Sequence, residues 1–174
     1  WGRKGLRVHS WLVSEVCADL YEAGVVDGPM VATQLVNSAR MRAFAHRNLA
    51  VQLGPVAYTH GAAVVSSQPR FTALLGAVEV ALDGSVNSEM VGQEFISGPG
   101  GAPDFAFGGA MATGGRVVVA LPSTAAGGSI SRIVDHIQPP NPVSLPAYLA
   151  DIIVTEHGVA EVRGMALRAR AAAL

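Results

Sequence analysis

Residues 116–121 read RVVVAL, and this run sets the first limit on the fold. Consecutive valines are stiff at χ1 and suit an extended chain better than a helix. A strand with no polar alternation has no face to offer water, so it has to be covered on both sides, as in parallel sheets wrapped by helices. Composition agrees, since half of the 174 residues are hydrophobic and only 14% are charged. The length suits one domain with its own core.

The rest of the chain alternates accordingly. Strands are expected at 6–10, 31–36, 51–53 and 151–155. A helix is expected at 12–23, where Leu12, Val13, Val16, Cys17, Leu20 and Tyr21 recur at helical spacing before Gly24. A second is expected at 38–47, with Ser38 as its N-cap, and others at 103–113 and at the C-terminus. TALLGAVEVAL, the turn Asp83-Gly84 and SVN read as a hairpin over 71–86. PPNPVSLP at 139–146 is an irregular surface loop. The class is α/β, an open, mostly parallel sheet flanked by helices. The expected organisation is a single domain over 1–174, without repeats or an interdomain linker.

Several function classes fall away. A net charge of −1 gives no reason to expect nucleic acid, and the arginine groups 40/42/47 and 163/168/170 read as solvated helix faces. No apolar run approaches a membrane span of about 20 residues. Cys17 is the only cysteine, which fits a reducing, cytoplasmic setting. The histidines at 9, 46, 60, 136 and 157 are scattered, with no spacing suited to a metal. The chain has no initiator methionine and stops inside a helical LRARAAAL, so it reads as a piece of a longer protein.

The segment SGPGGAPDF at 97–105 stands out. Pro103 suits the first position of a helix, and Asp104 then sits where the helix dipole favours a negative charge. Gly98, Gly100 and Gly101 permit positive φ and close approach, so backbone N–H groups here can point at an anion or a polarised carbonyl oxygen. Gly108 and Gly109, inside the helix that follows, imply close packing against a neighbour. Familiar motifs do not fit. Pro103 occupies the third glycine of a dinucleotide fingerprint, no Gly-Lys-Ser/Thr occurs, and GGSIS at 127–131 lacks the last glycine of a serine elbow.

Taken in order, several segments resemble one family, the acetyl-CoA hydrolase/transferases, in their C-terminal domain. They are VHS with DLYEAGVV, VNSE at 86–89, SGPGGAPDF, ALPSTA with SRIV between 120 and 134, and VTEHGVAEVRG at 154–164. The resemblance implies an open α/β sheet of the CoA-transferase type and a second, N-terminal domain or partner subunit beyond this chain. It implies acyl-CoA and a small carboxylic acid as substrates, no permanently bound cofactor or metal, and a homo-oligomer. It also implies that Gly98, Gly100, Gly101, Asp104, Phe105 and Asn87 bind CoA or the thioester oxygen. Family members exchange CoA through an acyl-glutamyl intermediate, and a carboxylate is a competent nucleophile for that exchange.

Here the chain departs. The family pattern places the nucleophile after I-H-[ST], whereas this chain reads Val8-His9-Ser10-Trp11. Tryptophan forms no thioester, and a large indole narrows the space a carboxylate would leave. Glu15, expected one helical turn from Trp11, and Glu89 of VNSE are the remaining carboxylate candidates. Glu156 is expected to be buried and hydrogen-bonded, and Ser85 stands where relatives have glutamine. Three readings stay open: an enzyme acting on acyl-CoA as transferase or hydrolase, a non-catalytic CoA-binding or assembly subunit, or a purely structural domain with no ligand.

Overall fold

The computed structural model describes residues 2–174, which form two compact units, one running to Val64 and the other from Val65 to Leu174. In the first, β1 (Leu6–Val13), α1 (Glu15–Glu22), β2 (Val26–Leu35), α2 (Ala39–Ala45), β3 (Val51–Leu53) and α3 (Val56–Thr59) follow in turn. The strands form a parallel sheet in the order β1-β2-β3. Met30, Ala32, Val13, Ala18 and Met41 make its core. Ser38 caps α2 as expected, its hydroxyl accepting the N–H of Met41 at 3.1 Å.

The first helix differs from expectation. Leu12 and Val13 belong to β1, and α1 begins only at Glu15. Apolar pairs fit either period, and pairing of Leu12 with Gln34 and Val13 with Leu35 decides for the strand. Trp11 is therefore a strand residue, and Glu15 is not one helical turn from it.

After α4 (Ala62–Ser66), the second unit contains β4 (Thr72–Gly76), β5 (Glu79–Ala81), β6 (Val86–Asn87), β7 (Met90–Val91), β8 (Glu94–Phe95) and α5 (Ala102–Met111). It continues with β9 (Arg116–Ala120), β10 (Thr124–Ala125), β11 (Ile130–Ser131), β12 (Ile133–Val134), β13 (Ile152–Thr155), β14 (Gly158–Glu161) and α6 (Leu167–Ala173). The main sheet runs β14-β13-β9-β4, parallel except for the β13–β14 hairpin. The expected hairpin over 71–86 divides: β4 pairs with β9, and Asp83-Gly84 turns only β5 into β6. Val117, Val119, Ile153, Val65, Phe105 and Ala106 form the core. Asp151 is buried beneath it, accepting the N–H of Val117 at 2.9 Å and pairing with Arg163 Nε at 2.9 Å.

Helix α5 lies on this sheet because its glycines permit it. A Cβ on Gly109 would meet the Arg116 carbonyl at 3.3 Å and Ala73 Cβ at 3.4 Å. One on Gly108 would lie 2.6 Å from Val65 Cβ. The close packing expected from those glycines is present.

Candidate functional site

In the second unit, residues 91–100 are exposed throughout, and the chain dives into the core at Gly101. Gly100 has φ +54°, a conformation that L side chains rarely adopt, and open space where a Cβ would stand. Gly101 is the N-cap of α5, and the helix starts at Ala102, one residue before the expected first position at Pro103. Among the described residues no hydrogen bond occupies the backbone N–H of Gly100, Gly101 or Asp104. Asp104 is exposed in the first turn, whereas Phe105 is 7% exposed and stacks on Phe71 with ring centroids 6.3 Å apart. Phe105 therefore anchors the helix, and the glycines ahead of it present bare backbone.

Asn87 and Glu89 organise the strand segment leading to this loop. Asn87 is fully buried. Its carbonyl oxygen accepts the N–H groups of Glu89 (2.9 Å) and Met90 (3.1 Å), and its amide donates to Met90 O (2.8 Å) and Glu79 Oε1 (2.9 Å). Every one of those bonds is internal, so Asn87 shapes the turn. Glu89 is 8% exposed and accepts from Ser144 Oγ at 2.8 Å, while Ser144 Oγ accepts the N–H of Ser88 at 2.9 Å. The Glu89 carbonyl takes the N–H of Ile96 at 2.8 Å, closing the hairpin β7–β8. Sequence reasoning missed Ser144, which lies 55 residues away from Glu89 and carries no local signal.

Glu156 is hydrogen-bonded as expected but half exposed, contrary to its expected burial. It accepts the Ser123 hydroxyl at 2.6 Å and the Ser123 N–H at 2.8 Å. These bonds, the hydroxyl's first, hold its carboxyl down at about 2, below an ordinary 4.5. They fix the start of a loop in which Ala126, Gly127 and Gly128 all have positive φ.

In the first unit, Trp11 is 48% exposed near the end of β1. His9 Nε2 lies 2.7 Å from the Thr59 carbonyl and donates to it, tying β1 to α3. Glu15, first residue of α1, accepts from Ser38 Oγ at 2.6 Å, so the same serine that caps α2 also holds this carboxylate. Both carboxylate candidates are thus bonded to serines. Among the described residues no group of three His, Cys, Asp or Glu could hold a metal ion, and no helix is long and apolar enough to cross a membrane.

The profile of the acetyl-CoA hydrolase/transferase C-terminal domain matches residues 38–174. A 4-hydroxybutyrate coenzyme A transferase of Clostridium kluyveri is 34% identical over 99% of this chain and 42% of its own length. A succinyl-CoA:cyclohexane-1-carboxylate CoA transferase of Geobacter metallireducens is 33% identical over 97% of the chain and 40% of its own length. Among solved structures, RipA from Yersinia pestis superposes with a TM-score of 0.90 at 28% identity, over 98% of this chain and 40% of that one. A 4-hydroxybutyrate CoA-transferase from Porphyromonas gingivalis gives 0.84 at 27% identity, over 99% of this chain and 41% of that one. The chain spans about two fifths of the length of these relatives. On fold, profile and sequence together, it belongs to the acetyl-CoA hydrolase/transferase family.

Proposed function

We propose that this chain is the C-terminal, acyl-CoA-handling part of a CoA-transferase or acyl-CoA hydrolase in which glutamyl transfer has been lost at position 11. The observation that carries the reading is the glycine loop. Gly100 holds a left-handed conformation with open space where a Cβ would stand, beside N–H groups unoccupied among the described residues at the start of a ten-residue helix. Such donors suit the oxygen of a thioester as it gains negative charge, and one of them contributes about 3 kcal/mol to lowering the barrier. Gly98, Asp104 and Phe105 serve by shaping and anchoring that backbone, and Asn87 and Glu89 by holding the segment before it.

Trp11 removes the carboxylate that the family resemblance places there. Glu15 and Glu89 are poor replacements, because each is engaged by a serine hydroxyl. The same observation favours a second reading, a non-catalytic CoA-binding or assembly subunit. The proposal further includes a second half of the protein, since the relatives are more than twice as long. It includes a small carboxylic acid as the group exchanged or released, a homo-oligomer and a cytoplasmic setting.

Isothermal titration of the purified protein with CoA, acetyl-CoA and butyryl-CoA tests the core of this reading. Heat of binding with saturation is expected. A folded protein that gives no heat at millimolar ligand would sink it.

A further inference from the structure

A chain of hydroxyls ending on an imidazole lies beside Trp11. The register of β1 on β2 pairs Ser10 with Ala32 and Leu12 with Gln34, which sets Trp11 next to Thr33. His9 and Thr33 both reach Thr59, so they share a face of the sheet, and the two-residue period of a strand puts Trp11 on that face as well. Thr33 is partly exposed, Thr59 is fully buried and His60 is 9% exposed. Thr33 Oγ1 lies 2.7 Å from Thr59 Oγ1, and Thr59 Oγ1 lies 2.8 Å from His60 Nδ1.

The Thr59 hydroxyl has one proton and three neighbours that could take it, the third being the Pro55 carbonyl at 3.3 Å. With His60 Nδ1 unprotonated, Thr59 donates to the imidazole and Thr33 donates to Thr59. The remaining lone pairs on Thr33 Oγ1 are then available to an electrophile, with a base two short hydrogen bonds away. A base within hydrogen-bond reach, or one bridging group away, activates a hydroxyl in covalent catalysis, and here the Thr59 hydroxyl is that bridge.

We propose that Thr33 is an acyl-accepting nucleophile and that Thr59 relays its proton to His60, making the chain a thioester hydrolase. The proposal rests on the acyl-CoA reading above. Thr33 Oγ1 adds to the thioester carbonyl carbon while its proton passes to Thr59 and the proton of Thr59 passes to His60. The C–S bond breaks, and the CoA sulfur leaves with the proton that His60 gives up. Water then adds to the Thr33 ester, delivering a proton to the relay. Thr33 leaves with that proton, and the free carboxylic acid is released. The sum is acyl-CoA plus water giving acid plus CoA thiol, with no other reactant.

The experiment is a single-turnover incubation of the protein with acetyl-CoA carrying a heavy acetyl group, followed by an acid quench and peptide mass spectrometry. The expected result is a hydroxylamine-labile acetyl group on Thr33. Thr33→Val should remove the adduct and slow thiol release by roughly 100-fold or more, the scale of a lost acid–base step. Thr33→Ser should retain both, which a merely structural role for the threonine methyl would not allow. Thr59→Val and His60→Gln should slow adduct formation with CoA binding intact. Heavy acetyl on another residue, or unchanged thiol release in Thr33→Val, overturns the proposal. Binding of CoA without adduct or thiol release overturns it and leaves the acyl-CoA reading standing; absence of binding overturns both.

Discussion

The glycine loop and the end of β1 present groups of opposite kinds, main chain in one and side chain in the other. In residues 98–105 the backbone itself is presented: a left-handed Gly100, N–H groups without partners among the described residues, and a helix pressed onto its sheet by Gly108 and Gly109. At the end of β1 the backbone is ordinary parallel strand, and the side chain is what stands out, the half-exposed indole of Trp11 at the position where our proposal puts a lost carboxylate. A site that grips through main-chain groups tolerates side-chain drift. A site that works through one carboxylate does not.

The largest effect expected from this contrast is a gain. Trp11→Glu should create a carboxylate that becomes covalently linked to CoA, seen by mass spectrometry after incubation with acyl-CoA and borohydride reduction. Wild type should show no such adduct on Glu15 or Glu89, and its transferase activity should be near background. An adduct on either residue in wild type would end the contrast, because the lost carboxylate would then have been replaced.

Next in size is Gly108→Val. Its Cβ would collide with Val65, and overpacking of this kind costs about 1–3 kcal/mol. The melting temperature should fall by roughly 2–10 °C for a chain of this length. Gly100→Val should act differently. Its space is open, so the cost comes from the positive φ and is about 1–2 kcal/mol, while CoA affinity should drop by more than that strain explains. If melting temperature and affinity fall together in both variants, the loop is only a turn.

The smallest effect belongs to Glu156→Gln. Because the folded carboxyl sits at about 2, below 4.5, the Ser123 clamp stabilises fully above pH 4.5 and is lost as pH falls through 2. The difference in melting temperature between wild type and variant should therefore close across that window. A difference that persists at pH 2 would show that the clamp does not depend on charge.

Local chemistry made much of the fold legible. The Ser38 cap, the Asp83-Gly84 turn and the valines of β9 each stand where side-chain preference alone puts them, and the start of α5 lies within one residue of its proline-based position. What failed depended on partners remote in sequence. Leu12 and Val13 suit helix or strand until β2 is beside them, and the strand β4 pairs across the chain with β9 rather than with its neighbour. The glycine loop could be singled out because glycine and proline act locally. The bonds of Glu89 to Ser144 and of His9 to Thr59 span 55 and 50 residues, and nothing in either residue announces its partner.

The strand pairings also set an order for acquiring structure. Joining Val8 to Met30 closes a loop of about 22 residues, and joining Thr72 to Arg116 closes one of about 44. Each doubling of a flexible loop adds about 0.6 kcal/mol of chain entropy to be overcome before any contact forms. Folding should accordingly protect the amides of β1 and β2 from solvent exchange before those of β4 and β9, so the strands bearing Trp11 and Thr33 are in register while the sheet beneath the glycine helix is still being assembled.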